Sequence, residues 1–411
     1  MVCAGYTAML SPIKARFEYD SCRHHTFTVR TAGSHLLKAY LMFKSLSRFV
    51  RAVSFLSLFG AGAAIAADDW QAGAGEDWKK VLAAAKQEGK VVVTGVAPLS
   101  NPLSADFLRD TGISVVFVSG NLRDMSTRLE REAKSGKLTI DVVLAGGTEL
   151  FSMYYPGYLD PIKPLLMLPG VTKSSNWIDG QPKWFDNKNA YMMKTSYWVH
   201  GWVLLNSEKV DVAKIQNWSD LLKPEYKGKI AAYDPRLGGP GQSSGAYLVH
   251  QLGIDFVKKL YAGQEVVYTQ DSRQLVEWAA RGTYPIVLGA IQSEVERFKK
   301  GGMKQLVVPT LADGPGTLTG GFGVVSLPKG RPNPNAATVF VNWLASRPGQ
   351  IAYHTVMLES TTRNDVQIDG VPDYVKPKPG LKYSLDQYAE TWYKEERPKI
   401  AKELLDTLGG R

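Results

Sequence analysis

The chain has 411 residues, of which 44% are hydrophobic, and a formal net charge of +10. This length is sufficient for two domains of ordinary size. The first 66 residues carry 8 of the 49 basic and 2 of the 39 acidic residues, so the remainder has a net charge of only +4. Because no basic stripe remains to neutralise phosphates, the sequence predicts no nucleic-acid partner.

Residues 1–66 are predicted to be an upstream extension followed by an export signal, and both Met1 and Met42 are candidate translation starts. A basic segment precedes an apolar run (residues 52–65), and a small-residue cleavage site ends at Ala66. The apolar run is shorter than the roughly 20 residues that span a bilayer. We therefore expect cleavage after about Ala66 and a free, monomeric protein in the periplasm.

Both cysteines, Cys3 and Cys22, lie in the predicted leader. The part expected to remain therefore lacks the residues for disulfide, thiolate or zinc–cysteine chemistry. Its histidines are His200, His250 and His354, which is little material for a histidine metal site or a catalytic triad. The sequence predicts no cofactor, no metal site and no enzymatic activity.

Helices and strands alternate in the first part of the remaining chain. The predicted order is helix 76–88, strand 90–96, a helix ending near residue 108, strand 113–119, a helix ending at Gly136 and strand 139–145. The three strands are short apolar runs, and glycine closes each helix. This alternation predicts a parallel, doubly wound α/β sheet.

Two long extended runs, residues 191–206 and 318–327, contain few turn residues. We interpret both as crossovers between two α/β lobes that close about a hinge. The predicted lobes are residues 67–203 with 319–350, and residues 204–318 with 351–411.

The predicted second lobe repeats the alternation. Its elements are strand 229–233, helix 256–261, strand 265–269, helix 272–282, strand 284–289, helix 293–300 and strand 304–308. A glycine-rich loop (residues 234–244) joins the first of these strands to a helix predicted to begin near Ser243. Unpaired backbone N–H groups at such a helix start suit an anion or a polar ligand.

In open α/β sheets, ligands bind beyond the carboxyl ends of the strands. The loops at these ends supply the predicted ligand contacts, which are Ala97, Pro98, Ser100, Gly147, Thr148, Gly241, Gln242, Ser243, Ser244, Gln270 and Gln292. Trp202 is added to this set because it lies in the first crossover, near Trp198 and His200. All three rings could stack on a ligand, or they could simply pack in the hinge.

Arg236 and Arg273 complete the predicted site, since both lie on loops between a strand and a helix. Their planar guanidinium groups can hold a carboxylate or a phosphate through two hydrogen bonds. The competing interpretation is that each arginine pairs with a local acid, Asp234 or Asp271.

Three segments carry a family resemblance. They are IDVVLAGGTELFSMYYPGYLDPI (140–162), WSDLLKPEYKGKIAAYDPR (218–236) and LPKGRPNPNAATVFVNWLASRPGQ (327–350). In these segments the chain resembles the extracellular solute-binding proteins of bacterial ABC importers, family 1, and among them the ferric-iron-type group. The resemblance implies a type II periplasmic-binding-protein fold. It also implies capture of a small solute and its delivery to an ABC permease in the inner membrane.

The ligand is a separate question, because ferric members of the family hold iron through an adjacent tyrosine pair. At the corresponding position this sequence has residues 289–292, without tyrosine, and the pair Tyr154 and Tyr155 lies in a first-lobe helix. The expected solute is an organic or phosphorylated anion, with ferric iron or another metal ion as the alternative.

A remote alternative is a secreted serine hydrolase. Residues 241–245 match the G-x-S-x-G nucleophile elbow, with Ser243 as the nucleophile. An elbow requires the strand to run directly into the motif, but here residues 235–240 intervene.

Overall fold

The computed structural model describes residues 69–120, 122–386 and 390–409, excluding the side chains of residues 122–123, 147–149 and 384–386. The predicted export signal lies outside the described residues. Residues 65–411 form one compact unit. Among the described residues, no helix is both long and apolar enough to cross a membrane.

The first part of the chain alternates helices and strands as the sequence predicts. The elements are α1 (Glu76–Glu88), β1 (Lys90–Gly95), α2 (Ser100–Thr111), β2 (Ser114–Ser119), α3 (Leu122–Ser135), β3 (Val142–Ala145) and α4 (Gly147–Tyr154). The central strands are apolar on both faces and are covered by helices. An irregular stretch follows, with β4 (Leu159–Asp160), α5 (Pro169–Thr172), β5 (Lys183–Trp184), β6 (Met193–Lys194), β7 (Trp198–His200) and β8 (Val203–Asn206).

The second alternating part also follows the prediction closely. Its elements are β9 (Ile230–Tyr233), α6 (Pro240–Leu252), α7 (Ile254–Lys258), β10 (Val267–Thr269), α8 (Ser272–Arg281), β11 (Ile286–Leu288), α9 (Gln292–Lys300) and β12 (Leu306–Val307). The helix predicted to begin near Ser243 begins three residues earlier, because Pro240 is favoured in a first helical turn.

The chain then returns and ends in helices. The remaining elements are β13 (Thr317–Thr319), β14 (Val324–Pro328), α10 (Pro334–Ala345), α11 (Arg347–Met357), β15 (Ser384–Asp386) and α12 (Arg397–Leu408), the last preceded by a π-helical turn (Trp392–Glu396). Helix α11 is absent from the prediction. It begins at Arg347 with proline in its first turn and ends at Met357, and the C-cap Leu358 has a left-handed φ of 53°.

Two mixed sheets carry the fold. The first has the order β2-β1-β3-β14-β6-β5, with β4 paired to β14, and the second has the order β10-β9-β11-β8-β12. Strands β1, β2 and β3 are parallel, as are β9, β10 and β11. The predicted parallel pairing is confirmed for the strands that alternate with helices. Strands β14 and β8, which the crossovers feed, are antiparallel to their neighbours.

The two predicted crossovers are confirmed as extended segments that connect the sheets. The first runs from β6 through β7 to β8, and the second runs from β12 through β13 to β14. Strands β7 and β13 pair antiparallel in a small third sheet with β15, so that Trp198 faces Thr319 and His200 faces Thr317. The observed architecture is therefore the predicted one, two α/β layers joined by extended hinge segments.

The lobe boundaries remain a proposal, although the packing of the last helices bears on them. Helix α11 packs on α2 and α10, which cover the first sheet, whereas α12 packs on α6 and α7 of the second. The proposed boundary at residue 350 divides α11, so the packing of this helix favours a later one.

Candidate functional site

A cavity of about 100 Å³ lies where elements of both main sheets meet the two crossovers. This volume exceeds the 10–15 Å³ or so that one water requires, so it admits a small solute. Its walls come from the carboxyl ends of β3, β9 and β11, from the crossovers and from the C-terminal segment. The lining residues discussed below are Trp198, His200, Ser243, Gln292, Glu359 and Arg397.

The first crossover supplies one wall through alternate residues of β7. Trp198 and His200 point to the same face because side chains alternate along a strand, and their ring centroids are 5.6 Å apart. His200 Nε2 is 3.2 Å from Ser244 Oγ in α6. Burial lowers the pKa of His200 to about 4, and the nearby positive charge of Arg397 also lowers it.

Gln292 and Glu359 form a second wall. Gln292 follows β11 at the start of α9, and Glu359 follows the left-handed end of α11. Gln292 Nε2 donates to Glu359 Oε1 at 3.0 Å and lies 3.3 Å from the carbonyl oxygen of Met357. Both side chains are 1% exposed. Burial raises the pKa of the Glu359 carboxyl to about 8.

The C-terminal segment closes the cavity. The guanidinium carbon of Arg397 lies 4.8 Å from the ring centroid of Tyr393. Tyr393 also packs against Phe151 and Phe185, at 5.4 and 5.0 Å between ring centroids. Since Phe151 and Phe185 belong to the first-sheet region and α12 packs on the second, this segment spans the two layers.

Several polar atoms of the lining residues are buried without a hydrogen-bond partner in the part of the chain that the structure describes. They are Trp198 Nε1, His200 Nδ1, Gln292 Oε1, Glu359 Oε2 and Arg397 Nε. A buried polar group without a partner costs about 1–3 kcal/mol, and more if it is charged. Donors and acceptors that converge on one cavity therefore indicate a polar ligand.

The structure brings some of the predicted site residues to this cavity. Ser243 and Gln292 line it, and Ser244 contacts His200 behind the lining. Gly241 lies beneath, where a Cβ atom would meet the carbonyl oxygens of Tyr233 and Asp234 at about 2.5 Å.

Other predicted residues lie outside the lining. Ala97, Pro98, Gln270 and Arg273 are exposed, and Ser100 and Gln242 are half-buried. Trp202 is buried and packs against Tyr374, 5.1 Å between ring centroids. Gly146 lines the cavity, whereas the side chains of Gly147 and Thr148 lie outside the described residues.

The two predicted arginines make local contacts. Arg236 donates from Nε and one terminal nitrogen to the two carboxylate oxygens of Asp234, both at 2.9 Å, and lies over the ring of Tyr268. Asp271 caps α8 by accepting from the backbone N–H groups of Arg273 and Gln274. Arg236 therefore pairs with a local acid, as the competing interpretation expected. Asp271 contacts Arg273 through the backbone N–H group of that residue, as part of the helix cap.

Sequence reasoning missed several lining residues, among them Glu359, Tyr393 and Arg397 and the second-crossover residues Thr319, Gly321 and Phe322. Glu359 was detectable in principle, because it is an isolated acid after an apolar helix whose start is marked by Arg347 and Pro348. No comparable signal marks Arg397, which follows a run of charged residues.

The tyrosine pair lies elsewhere, in an aromatic cluster. Phe151 stacks on Tyr155, and Tyr154 packs against Tyr191. Burial raises the pKa of Tyr154 and Tyr155 to about 12, and the negative charge of Glu390 raises it further. The described residues contain no group of three or more histidine, cysteine or acidic side chains placed to hold a metal ion.

The family model for the bacterial extracellular solute-binding protein matches residues 92–351, more than half of the chain. The protein therefore belongs to the bacterial extracellular solute-binding protein family. A relative from Haemophilus influenzae, described as an uncharacterized protein, is 32% identical over 137 residues. That match covers 32% of this chain and 38% of the relative, so the chain spans well under half of the relative's length.

Solved structures of periplasmic binding proteins share the fold. AfuA from Actinobacillus pleuropneumoniae, solved with fructose-6-phosphate, has 19% identity, a TM-score of 0.58 and coverage of 77% of this chain and 97% of its own. Apo ferric ion-binding protein A from Pasteurella haemolytica has 17% identity, a TM-score of 0.61 and coverages of 78% and 98%. Iron-bound HitA from Pseudomonas aeruginosa has 17% identity, a TM-score of 0.57 and coverages of 77% and 99%. The expected periplasmic-binding-protein fold is confirmed.

Proposed function

We propose that this protein is the solute-capturing component of an ABC import system. A small polar solute binds in the cavity between the two main sheets, and the closed complex delivers it to a permease in the inner membrane. The protein acts as an exported monomer in the periplasm and catalyses no reaction. The observation that carries this proposal is the set of buried polar atoms without partners among the described residues, all on side chains that line the cavity.

The placement of these atoms fits capture by closure. Trp198 and His200 lie on a hinge strand, Gln292 follows a second-sheet strand, and Glu359 follows a helix packed on the first layer. Closing the two layers about the crossovers brings their polar groups around one ligand and excludes water. Opening them separates the same groups and releases the ligand to the permease.

The proposal is tested by a thermal-shift screen of organic anions, sugar phosphates, amines, amino acids, sugars and metal salts, followed by calorimetry. A solute present at 100 times its dissociation constant should add about 2.7 kcal/mol to the free energy of unfolding. If no solute shifts the transition, and mass spectrometry finds no co-purified small molecule, capture of a solute is contradicted.

Ferric iron remains the second candidate within this function, since one neighbour of the same fold is named a ferric ion-binding protein and another, HitA, was solved with iron bound. The surroundings of the tyrosine pair favour iron less than a polar organic solute, because burial and the negative charge of Glu390 oppose deprotonation of Tyr154 and Tyr155. Titration with ferric citrate, monitored for the charge-transfer absorbance of iron–tyrosinate, distinguishes iron binding from capture of a polar organic solute. Absorbance that disappears in a Tyr154→Phe, Tyr155→Phe variant would establish iron binding by the pair.

The hydrolase alternative has less support, because Ser243 lies inside α6 rather than on a turn directly after a strand. The serine that contacts a histidine is Ser244, and His200 Nδ1 has no carboxylate partner among the described residues. A fluorophosphonate probe should leave the protein unlabelled. Labelling that is lost in Ser243→Ala would support a hydrolase.

A further inference from the structure

A buried acid and a buried arginine line the cavity, and no ion pair joins them among the described residues. Glu359 is 1% exposed and Arg397 is 7% exposed. Glu359 Oε2 and Arg397 Nε have no partner in hydrogen-bonding geometry among the described residues, although the Ser196 hydroxyl is near enough to Glu359 to lower the pKa of its carboxyl. Arg397 favours an anionic partner, since an uncompensated buried charge costs several kcal/mol. Burial raises the pKa of Glu359 to about 8, and a cationic ligand beside it would lower that pKa and bind the ionised form.

The two groups are separated along the β7 wall. Glu359 lies beside Trp198, because a Cβ atom on Gly321 would be within 2.9 Å of both Glu359 Oε1 and Trp198 Nε1. Arg397 lies near the adjacent His200, whose pKa is lowered by burial and by the charge of Arg397. A ligand lying along Trp198 and His200 therefore meets an acid at one end and a guanidinium group at the other.

The chemistry of the acidic end favours a protonated amine. Glu359 Oε2 and Gln292 Oε1 are both unpartnered acceptors, and the two side chains are held together by their own hydrogen bond. An ammonium group has three donors and no acceptor, so it can satisfy both oxygens. An aromatic ring such as that of Trp198 also attracts a cation.

The chemistry of the other end favours an acidic group. The Arg397 guanidinium offers planar donors that match a carboxylate or a phosphate. A simple anion would satisfy Arg397 but leave Glu359 without a counter-charge, and a simple amine would do the reverse. The cavity of about 100 Å³ limits the ligand to a small molecule.

We propose that the solute is a small amphoteric molecule whose protonated amine binds Glu359 and Gln292 and whose carboxylate or phosphate binds Arg397. This inference rests on the proposed function and names its substrate class. It narrows the expected organic or phosphorylated anion to one that also carries an amine.

The test is calorimetry on the protein purified after expression of the full chain. The probes are glycine, β-alanine and γ-aminobutyrate as amino carboxylates, and 2-aminoethyl phosphate as an amino phosphate. Each has controls that lack one group, such as glycolate without the amine and ethylamine without the acid. We expect at least one probe to bind about thirtyfold or more tightly than either of its controls, as loss of a buried charged contact predicts.

Variants assign the two ends. Glu359→Gln should weaken the best probe by about thirtyfold or more and reduce its preference over the amine-free control, whereas Arg397→Gln should reduce its preference over the acid-free control. Glu277→Gln and Arg281→Gln are matched controls, since this pair lies on the surface of α8, with Arg281 73% exposed. Circular dichroism and thermal unfolding show whether each variant is folded.

Failure of this inference differs from failure of the proposed function. If sugars, simple anions, polyamines or metal ions bind and the amphoteric probes do not, solute capture stands and the amphoteric ligand is wrong. If the probes bind with the same affinity in the Glu359 and Arg397 variants, the two ends are wrongly assigned. If no solute of the whole screen binds or co-purifies, the proposed function itself is overturned.

Discussion

Arg236 and Arg397 occupy comparable places in the second layer, near the start of α6 and at the start of α12, and have opposite surroundings. Arg236 has a carboxylate two residues away, and its bidentate contact with Asp234 uses two of its nitrogens within the loop. Arg397 has two acids just before it, Glu395 and Glu396, but no described ion pair joins it to either, and it stacks on Tyr393 and lines the cavity. A loop position alone is thus a poor guide to ligand contact. Whether a nearby acid forms an ion pair with the arginine decides the use of the side chain.

The same contrast holds for the two walls to which these arginines belong. The glycine-rich loop satisfies its polar groups internally, through the Arg236–Asp234 pair and the helix that begins at Pro240. The C-terminal wall leaves Glu359 Oε2 and Arg397 Nε without partners in the described part of the chain. The first wall is therefore expected to contribute mainly to stability, and the second mainly to binding.

Alanine substitution of the two arginines should break or confirm this contrast most clearly. Arg236→Ala should lower the free energy of unfolding by about 3–5 kcal/mol, because it leaves the buried carboxylate of Asp234, whose side chain is 6% exposed, without its counter-charge. Affinity for the solute found by screening should change less than about twofold, since no binding contact is lost. Chemical denaturation and calorimetry measure the two quantities.

Arg397→Ala should show the reverse pattern. Affinity should fall by about thirtyfold or more, while the loss of stability should be smaller than that of Arg236→Ala because no ion pair is broken. Arg281→Ala is the surface control for both variants. Equal losses of affinity in Arg236→Ala and Arg397→Ala would show that the glycine-rich loop belongs to the site after all.

Two cavity-lining groups, His200 and Glu359, and the buried His354 should together give the stability a maximum near pH 6.5. His200 and His354 have their pKa lowered to about 4 by burial, so the unfolded state binds more protons than the folded state from pH 6.5 down to about 4. Their contribution is complete above pH 6.5 and is lost as the pH falls. Glu359, with its pKa raised to about 8, has the opposite sign, and its contribution is lost as the pH rises from 4.5 to 8.

The net effect of these three groups is a rise of about 1 kcal/mol per pH unit from pH 4.5 to 6.5 and a similar decline from 6.5 to 8. Denaturant titrations across this range measure the profile. Glu359→Gln should remove the alkaline decline and leave the acidic limb in place. A decline that persists in that variant would contradict the assignment to Glu359.

The smallest expected effect is that of adding a methyl group at Gly321, which lines the cavity. Gly321 has a φ of 53°, and a Cβ atom there would contact Trp198 Nε1 and Glu359 Oε1 at 2.8 and 2.9 Å. Gly321→Ala should cost about 1–2 kcal/mol of stability through the left-handed backbone. It should also weaken binding by about tenfold, because the methyl group displaces the side chains of Trp198 and Glu359 in the cavity wall. Gly302→Ala, also at positive φ but with no atom within 4 Å of the added Cβ, is the matched control. Equal affinity in both variants would show that Gly321 matters only to the backbone.

Much of the fold was predictable because local signals and global packing agree. Helix α1 and helix α8 lie within one residue of their predicted bounds, since glycines end both helices and Asp271 caps the second. Both crossovers were predicted from long runs with few turn residues. Helix α11 was missed because Pro348 in its first turn reads as a break, although proline is tolerated there.

The sequence by itself determined the order of strands and helices, the two crossovers and the family, because these depend on periodicity, glycine positions and ordered motifs along the chain. Tertiary structure alone decided which polar side chains share the cavity. Glu359 and Arg397 are far from Ser243 and Gln292 in sequence, and α11 and α12 bring them there by packing on opposite layers. Arg236, in the glycine-rich loop, pairs with Asp234 two residues away. No spacing rule could show whether this arginine would contact Asp234 or a ligand.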